Sequence, residues 1–265
     1  MNLYAVFGYP IEHSLSPRIH AQFGRQLGIT LVYERRAVPP GSLAQAVERF
    51  REEGGRGANV TVPLKGEAYA LASMRTPRAE RAGAVNTLSF ADGAILGDNT
   101  DGDGLVVDLA YHQVPLSAAR LLLLGAGGAA QGILGPLLDA GVERIAVWNR
   151  TPGRAQEWLA RVGDARLHRP AADDSYDLVI NATAASLGHA LPPVPDTVFR
   201  DAVVYDLAYG PIAGRFLAHA RAQGASRVLD GLGMLIEQAA SAFCVWHGVR
   251  PDTAGVRALL RDELA

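Results

Sequence analysis

Cysteine is almost absent from this 265-residue chain: Cys244 stands alone, so no intrachain disulfide and no cysteine-rich metal cluster can form. Its Ala, Phe, Val and Trp neighbours mark it as a core thiol. Lysine is equally scarce, Lys65 being the single one among 25 basic residues. An excess of charge is lacking too. The net charge is −2 and the arginines are scattered, which supplies no basic field for nucleic acid or an anionic membrane. The longest apolar run, residues 121–138, approaches membrane-span length but is interrupted by five glycines, Gln131 and Pro136. The opening stretch has neither a basic n-region nor a long apolar h-region. These absences predict a cytoplasmic protein without a metal centre, a membrane span or a nucleic-acid partner.

What is present is ordinary globular material, 49% hydrophobic and 20% charged, enough for two modest domains. Residues 3–8, 31–38 and 57–62 read as strands, with helical spacing at Ile19, Phe23 and Leu27 and again over residues 42–53. This β-α-β-α-β order predicts an open, largely parallel sheet in the first hundred residues. Residues 65–72 read as a helix, and residues 84–88 and 95–97 as a hairpin around Asp92-Gly93.

Within this first part, Asn59-Val-Thr-Val-Pro-Leu-Lys-Gly66 holds the most information. Pro63 stops an apolar strand, so Thr61 and Lys65 fall where α/β proteins place ligand groups. An otherwise all-arginine chain keeps a lysine where a compact, tunable ammonium is needed, which a guanidinium cannot supply. Ser16 before Pro17 has the chemistry of a helix N-cap, yet a second hydroxyl at Ser14 beside His13 also suits an anion or hydroxyl ligand. Asn86 interrupts an apolar strand and must find partners, because a buried unpaired amide costs about 1–3 kcal/mol. Asp101 opens a helical stretch, where capping alone would account for it.

From Arg120 the chain reads strand, Gly125-Ala126-Gly127-Gly128-Ala129-Ala130, helix. That is the dinucleotide-binding fingerprint of a Rossmann fold, with alanine in the third glycine place. The glycines let backbone N–H groups approach a pyrophosphate at a helix N-terminus. After the next strand, where an acidic residue would hold a ribose 2′-hydroxyl, stand Asn149, Arg150 and Thr151, with Arg154 one turn on. Arginines and a threonine suit a 2′-phosphate, so the expected cofactor is NADP(H) rather than NAD. Strands at residues 177–180, 203–206 and 228–233 follow, then amphipathic helices over residues 235–246 and 253–264.

Taken together, Gly8-Tyr-Pro-Ile-Glu-His-Ser-Leu-Ser-Pro17, residues 59–65, Gly83-Ala-Val-Asn86-Thr, Gly97-Asp-Asn-Thr-Asp101-Gly, the glycine turn, Asn149-Arg-Thr151 and Asp230-Gly-Leu-Gly-Met234 through Gln238 resemble the shikimate dehydrogenases. The resemblance covers the whole chain, its blocks in the family's order. It implies NADP-dependent interconversion of 3-dehydroshikimate and shikimate in aromatic amino acid synthesis, by a monomer or homodimer. It further implies a discontinuous substrate domain (1–101 plus 232–265), a dinucleotide-binding domain (102–231) and an active site in the cleft between them. By position, Lys65 and Asp101 match the family's catalytic pair. Ser14, Ser16 and Tyr209 match its carboxylate contacts, Thr61, Asn86 and Gln238 its ring-hydroxyl contacts, and Leu207 and Gly231 further cofactor contacts. Ala184 and Gly214-Arg215 depart from the family, which often has Ser and Thr-Pro there.

Three other readings stay open on sequence. A broad-range quinate/shikimate dehydrogenase commonly carries an acidic residue where Asn149-Arg150-Thr151 stands. A methylene-tetrahydrofolate dehydrogenase is ill-suited by the His-Ser-Leu-Ser-Pro block. A non-catalytic NADP-binding sensor would need no proton carrier at position 65.

Overall fold

Short apolar runs closed by turn residues form the strands β1 (Asn2–Gly8), β2 (Leu31–Ala37) and β3 (Gly55–Val60), with helices α1 (Ser16–Leu27) and α2 (Leu43–Glu52) between them. This is a computed structural model that describes residues 2–91, 93–171, 173–185 and 190–264. β1 pairs in parallel with both β2 and β3, so all three strands end at one edge of the sheet. Helix α3 (Lys65–Leu71) starts at that edge. β4 (Met74–Arg75), α4 (Pro77–Ala82) and the hairpin β5 (Thr87–Ala91) and β6 (Ala94–Asp98) complete a sheet of order β2-β1-β3-β5-β6-β4. The expected hairpin is present, although Asp92 of its turn lies outside the described residues. Its antiparallel pairing, and that of β5 with β3, makes the sheet mixed beyond β3.

Two terminal assignments differ from the sequence reading. Leu15, not Ser16, occupies the N-cap of α1, and Ser16 is the first helical residue, its hydroxyl accepting from Ser14 instead of capping. Asn86 falls just before β5 rather than within it, since its side chain is committed to the following helix while its carbonyl still accepts from the Val60 amide.

Helix α5 (Asp101–Tyr111) leads into a second sheet built from β7 (Arg120–Leu124), β8 (Arg144–Trp148), β9 (Leu167–His168), β10 (Leu178–Asn181), β11 (Val203–Asp206) and β12 (Arg227–Asp230). Every pairing is parallel, in the order β12-β11-β10-β7-β8-β9, the doubly wound dinucleotide-binding arrangement. Helices α6 (Gly128–Asp139), α7 (Pro152–Val162) and α8 (Pro211–Ala222) cover it, Pro211 opening α8 three residues before the atypical Gly214. Leu121, Leu123, Ile145, Ile180, Ile133 and Leu137 fill one side, and Leu122, Val179, Val204, Phe199 and Phe216 the other.

The chain then returns. Helices α9 (Leu232–His247) and α10 (Ala254–Leu264) pack on α1 through Ile19, Phe23, Ile236, Phe243 and Leu260, while Trp246 stacks on Tyr4 of β1 at 4.5 Å. Each such large apolar side chain contributes roughly 1.5–3 kcal/mol by leaving water. Helices α5 and α9 meet at Gly104, where a Cβ would lie 2.7 Å from the Gln238 nitrogen. No helix among the described residues is long and apolar enough to cross a membrane.

Candidate active site

Where β3 ends and α3 begins, Lys65 turns inward and is only 8% exposed. Its Nζ donates to Asp101 Oδ2 at 2.5 Å, and Asp101, the first residue of α5, is 4% exposed. Thr100 takes the cap position of α5, which frees the Asp101 carboxylate for this pairing. An ion pair so far from water persists only when its remaining lone pairs and protons are also matched.

Asn86 does that matching. Its Nδ2 donates to Asp101 Oδ1 at 2.8 Å, to Thr100 Oγ1 at 2.9 Å and to Gln238 Oε1 at 3.3 Å. Its Oδ1 accepts from the Thr100 amide at 2.9 Å and from Thr87 Oγ1 at 2.8 Å. The partners demanded by a lone amide in an apolar stretch are thus supplied by the α5 start and by α9.

A polar chain continues beneath the site. Asn59 Nδ2 donates to Thr87 Oγ1 at 3.1 Å, and Tyr33 OH donates to Asn59 Oδ1 at 2.7 Å. Tyr33 lies beside the Ser16 hydroxyl, and burial pushes its phenol well above the usual tyrosine range. Ser14 Oγ donates to Ser16 Oγ at 3.2 Å. Tyr209, from the loop after β11, lies against the Leu15 backbone, its phenol raised by burial. Ser14, Ser16 and Tyr209 therefore gather at one end of the site and Lys65, Asp101, Asn86 and Gln238 at the other. Thr61 lies beside β1, where a Cβ on Gly8 would meet its Cγ2 at 2.5 Å; its amide donates to the Phe7 carbonyl at 2.9 Å. Thr100, Tyr33 and Asn59 were not among the residues expected from sequence. Thr100 stands inside a motif block that was read, whereas Tyr33 gives no signal in its strand.

The glycine turn sits at the switch point of the second sheet, between β7 and α6. Gly125 adopts φ 114°, with the Ala182 carbonyl carbon 3.1 Å from where a Cβ would be, so only glycine fits without strain. Ala126 is buried, and Ala129 follows Gly128 in the first turn of α6. Gly128, Gly132 and Gly135 line one face of α6: a Cβ on Gly128 would lie 3.1 Å from the Lys65 Cβ, and one on Gly132 3.0 Å from Asp101 Oδ2. A Cβ on Gly135 would meet the Arg81 side chain at 3.1 Å. The nucleotide-binding helix thus rests directly on the Lys65–Asp101 pair.

Beyond β8, Asn149 Nδ2 donates to the Thr151 carbonyl at 2.9 Å and shapes the loop. Arg150, Thr151 and Arg154 are exposed, and neither arginine has an acidic partner among the described residues. Gly231 is pressed against Leu207, whose carbonyl carbon would be 2.7 Å from a Cβ, so these two also adjoin at the strand ends. The residues fit a phosphorylated dinucleotide: open glycine backbone at a helix start, free guanidiniums beside the ribose position and no carboxylate to repel a 2′-phosphate. No group of three or more His, Cys, Asp or Glu among the described residues could hold a metal ion.

Comparison with known proteins agrees with this geometry. Residues 6–88 match the family model of the shikimate dehydrogenase substrate binding domain, residues 108–188 that of shikimate/quinate 5-dehydrogenase, and residues 231–261 that of the shikimate 5′-dehydrogenase C-terminal domain. A shikimate dehydrogenase (NADP(+)) of Methylobacillus flagellatus is 51% identical, with 98% of this chain and 99% of that protein covered. One of Aromatoleum aromaticum is 50% identical, with 98% and 97% covered. Among solved structures, an Ael1 enzyme from Pseudomonas putida aligns with TM-score 0.90 at 43% identity over 98% of each chain. Shikimate 5-dehydrogenase from Thermus thermophilus, in complex with NADP(H) and shikimate, aligns with TM-score 0.88 at 37% identity over 100% of each chain. With its full length matched at such identity, the chain belongs to the shikimate dehydrogenase family.

Proposed function

We propose that this protein is an NADP-dependent oxidoreductase that reversibly reduces 3-dehydroshikimate to shikimate, a step toward chorismate and the aromatic amino acids. The observation that carries this reading is the buried Lys65–Asp101 pair at 2.5 Å, set against Gly128 of the glycine turn. Bound NADPH supplies the hydride to the carbonyl carbon. The protein's own task is then a proton. As the carbonyl oxygen becomes an alkoxide, Lys65 Nζ gives it a proton; in the reverse direction Nζ receives one from the alcohol. Asp101 orients the ammonium through Oδ2 and stays fixed through Oδ1 on Asn86, so the two side chains act as one coupled unit. Thr61, Asn86 and Gln238 face ring hydroxyls, while Ser14, Ser16 and Tyr209 take the carboxylate.

In this reading the pyrophosphate lies on the turn Gly125 to Ala129, the ribose 2′-phosphate on Asn149, Arg150, Thr151 and Arg154, and Leu207 and Gly231 border the nicotinamide end. The substrate domain comprises residues 1–101 plus 232–265 and the dinucleotide-binding domain residues 102–231. The protein acts as a cytoplasmic monomer or homodimer. Steady-state rates with shikimate and with quinate, each with NADP and NAD, test the assignment: shikimate with NADP should far exceed the other pairs. Equal turnover of quinate or NAD would move the assignment to a broad-range dehydrogenase, and silence with all four pairs despite NADP binding would refute an enzymatic role.

A further inference from the structure

The carboxylate end of the site, as described, offers only neutral hydroxyls. A carboxylate leaving water needs more than that, because its lost hydration is recovered best by positive charge in a partly dry setting. One side chain stands in position to supply it. Alternation along β2 puts Tyr33 and Arg35 on the same face, two residues apart, and Tyr33 lies beside Ser16. Arg35 Nε donates to the Ser14 carbonyl at 2.8 Å, which fixes its guanidinium beside the serine segment. Its positive charge also acts on the Tyr209 hydroxyl, lowering that phenol against the effect of burial. Arg35 thus adjoins Ser14 directly and acts by its charge on Tyr209.

Its neighbours are engaged elsewhere. Arg36 is paired with Glu34 and Glu53, and Arg18 with Glu263. Arg35 has no acidic partner among the described residues and is exposed at the rim. An unneutralised guanidinium held by its Nε keeps its full charge beside the Ser14 segment.

Resting on the proposed function, we propose that Arg35 is a specificity-determining residue that draws in the substrate's carboxylate and holds it against Ser14, Ser16 and Tyr209. Its role is charge-based and lies in binding, not in proton transfer. The test compares the full-length wild type with Arg35→Gln and Arg35→Lys, using NADP with shikimate and with shikimate methyl ester, whose carboxyl group is uncharged.

Arg35→Gln should raise the KM for shikimate roughly fivefold to twentyfold, with the loss carried by KM rather than kcat, and should flatten the decline of kcat/KM with added salt. Arg35→Lys should restore most of the affinity. With the methyl ester the wild type and Arg35→Gln should differ by less than about twofold, because the interaction removed is between charges. An unchanged KM for shikimate in Arg35→Gln overturns the assignment, as does an equal rise for the ester, which would mean that Arg35 merely braces the Ser14 segment. A wild type active on shikimate beside an equally active Arg35→Gln refutes this inference alone; a silent wild type refutes the proposed function and this inference with it.

Discussion

Arg257→Met should be strongly destabilising although the residue lies outside the active site. Arg257, on α10, is buried with its guanidinium against Asp108 of α5, and its second terminal nitrogen lies 3.1 Å from Glu237 Oε1 of α9. Tyr205 OH of β11 donates to the other Asp108 oxygen at 2.6 Å. Three helices and one strand of the second sheet thus meet around this ion pair. Methionine would fill much of the volume but leave Asp108, which is fully buried, with a tyrosine hydroxyl and the His112 ring 3.7 Å away. Removing one partner of a buried pair costs about 3–5 kcal/mol. Glu237 keeps Arg250 at 2.8 Å and Thr253 at 2.7 Å, so the lower part of that range applies, about 3 kcal/mol. For a chain of this size that corresponds to a fall in Tm of roughly 6–12 °C. Urea titration and calorimetry of the two proteins measure it. Adding Asp108→Asn should recover part of the loss, since the stranded charge is then gone. A cost below about 1 kcal/mol, or no recovery in the double variant, would refute the account.

Other substitutions probe the site. Lys65→Met should leave NADP affinity nearly intact and cut kcat about 10²-fold or more, read by rates beside NADP titration. Arg150→Ala with Arg154→Ala should raise the KM for NADP about tenfold or more while leaving the KM for NAD unchanged, since only the former carries a 2′-phosphate. Gly132→Ala puts a Cβ 2.8 Å from Asn99 Oδ1 and 3.0 Å from Asp101 Oδ2, so kcat should fall as the carboxylate is displaced, and a fully active variant would contradict the close approach of α6. His20 is buried, stacked on Tyr33 at 4.3 Å, with neither ring nitrogen hydrogen-bonded, and burial lowers its pKa to about 3. The folded protein keeps it neutral while the unfolded chain takes up a proton as pH falls below about 6.5, so stability is full above that pH and is lost on descending toward 3. At pH 5 the loss is about 2 kcal/mol, and His20→Phe should reduce by that amount the change in unfolding free energy between pH 7 and 5 measured by urea titration.

How much of this was readable from residues depended on whether a feature had a local period. Strand, glycine turn and helix at residues 120–139 follow from periodicity, and the bare arginines after β8 announced themselves by the acid they replace. Lys65 was conspicuous because it was alone. By contrast, the contacts of Asn86 with Thr100 and Gln238 join residues 14 and 152 positions apart, and the Asp108–Arg257 pair spans 149. No spacing rule connects such positions, so the need for a partner could be foreseen at Asn86 but not the partner. In sequence Gly132 and Gly135 of α6 look like interruptions of an apolar run; their spacing on one face with Gly128 acquires meaning only when Lys65 and Asp101 are seen across from them. β4 and α4 escaped notice because a two-residue strand and a six-residue helix are too short to show a period.

The hydrogen-bonded line from Tyr33 through Asn59, Thr87, Asn86 and Asp101 to Lys65, with the Ser14–Ser16 pair beside its Tyr33 end, functions as a ruler. Its members are mostly buried and hold one another, so the separation between its two ends cannot stretch to suit a ligand. A molecule gripped by its acid group at one end offers the ammonium at the other only the atom that lies one ruler-length away. On the proposed function, discrimination among cyclic acids is expected to follow which oxygen sits at that distance, a longer or shorter acid binding without bringing any oxygen to Lys65.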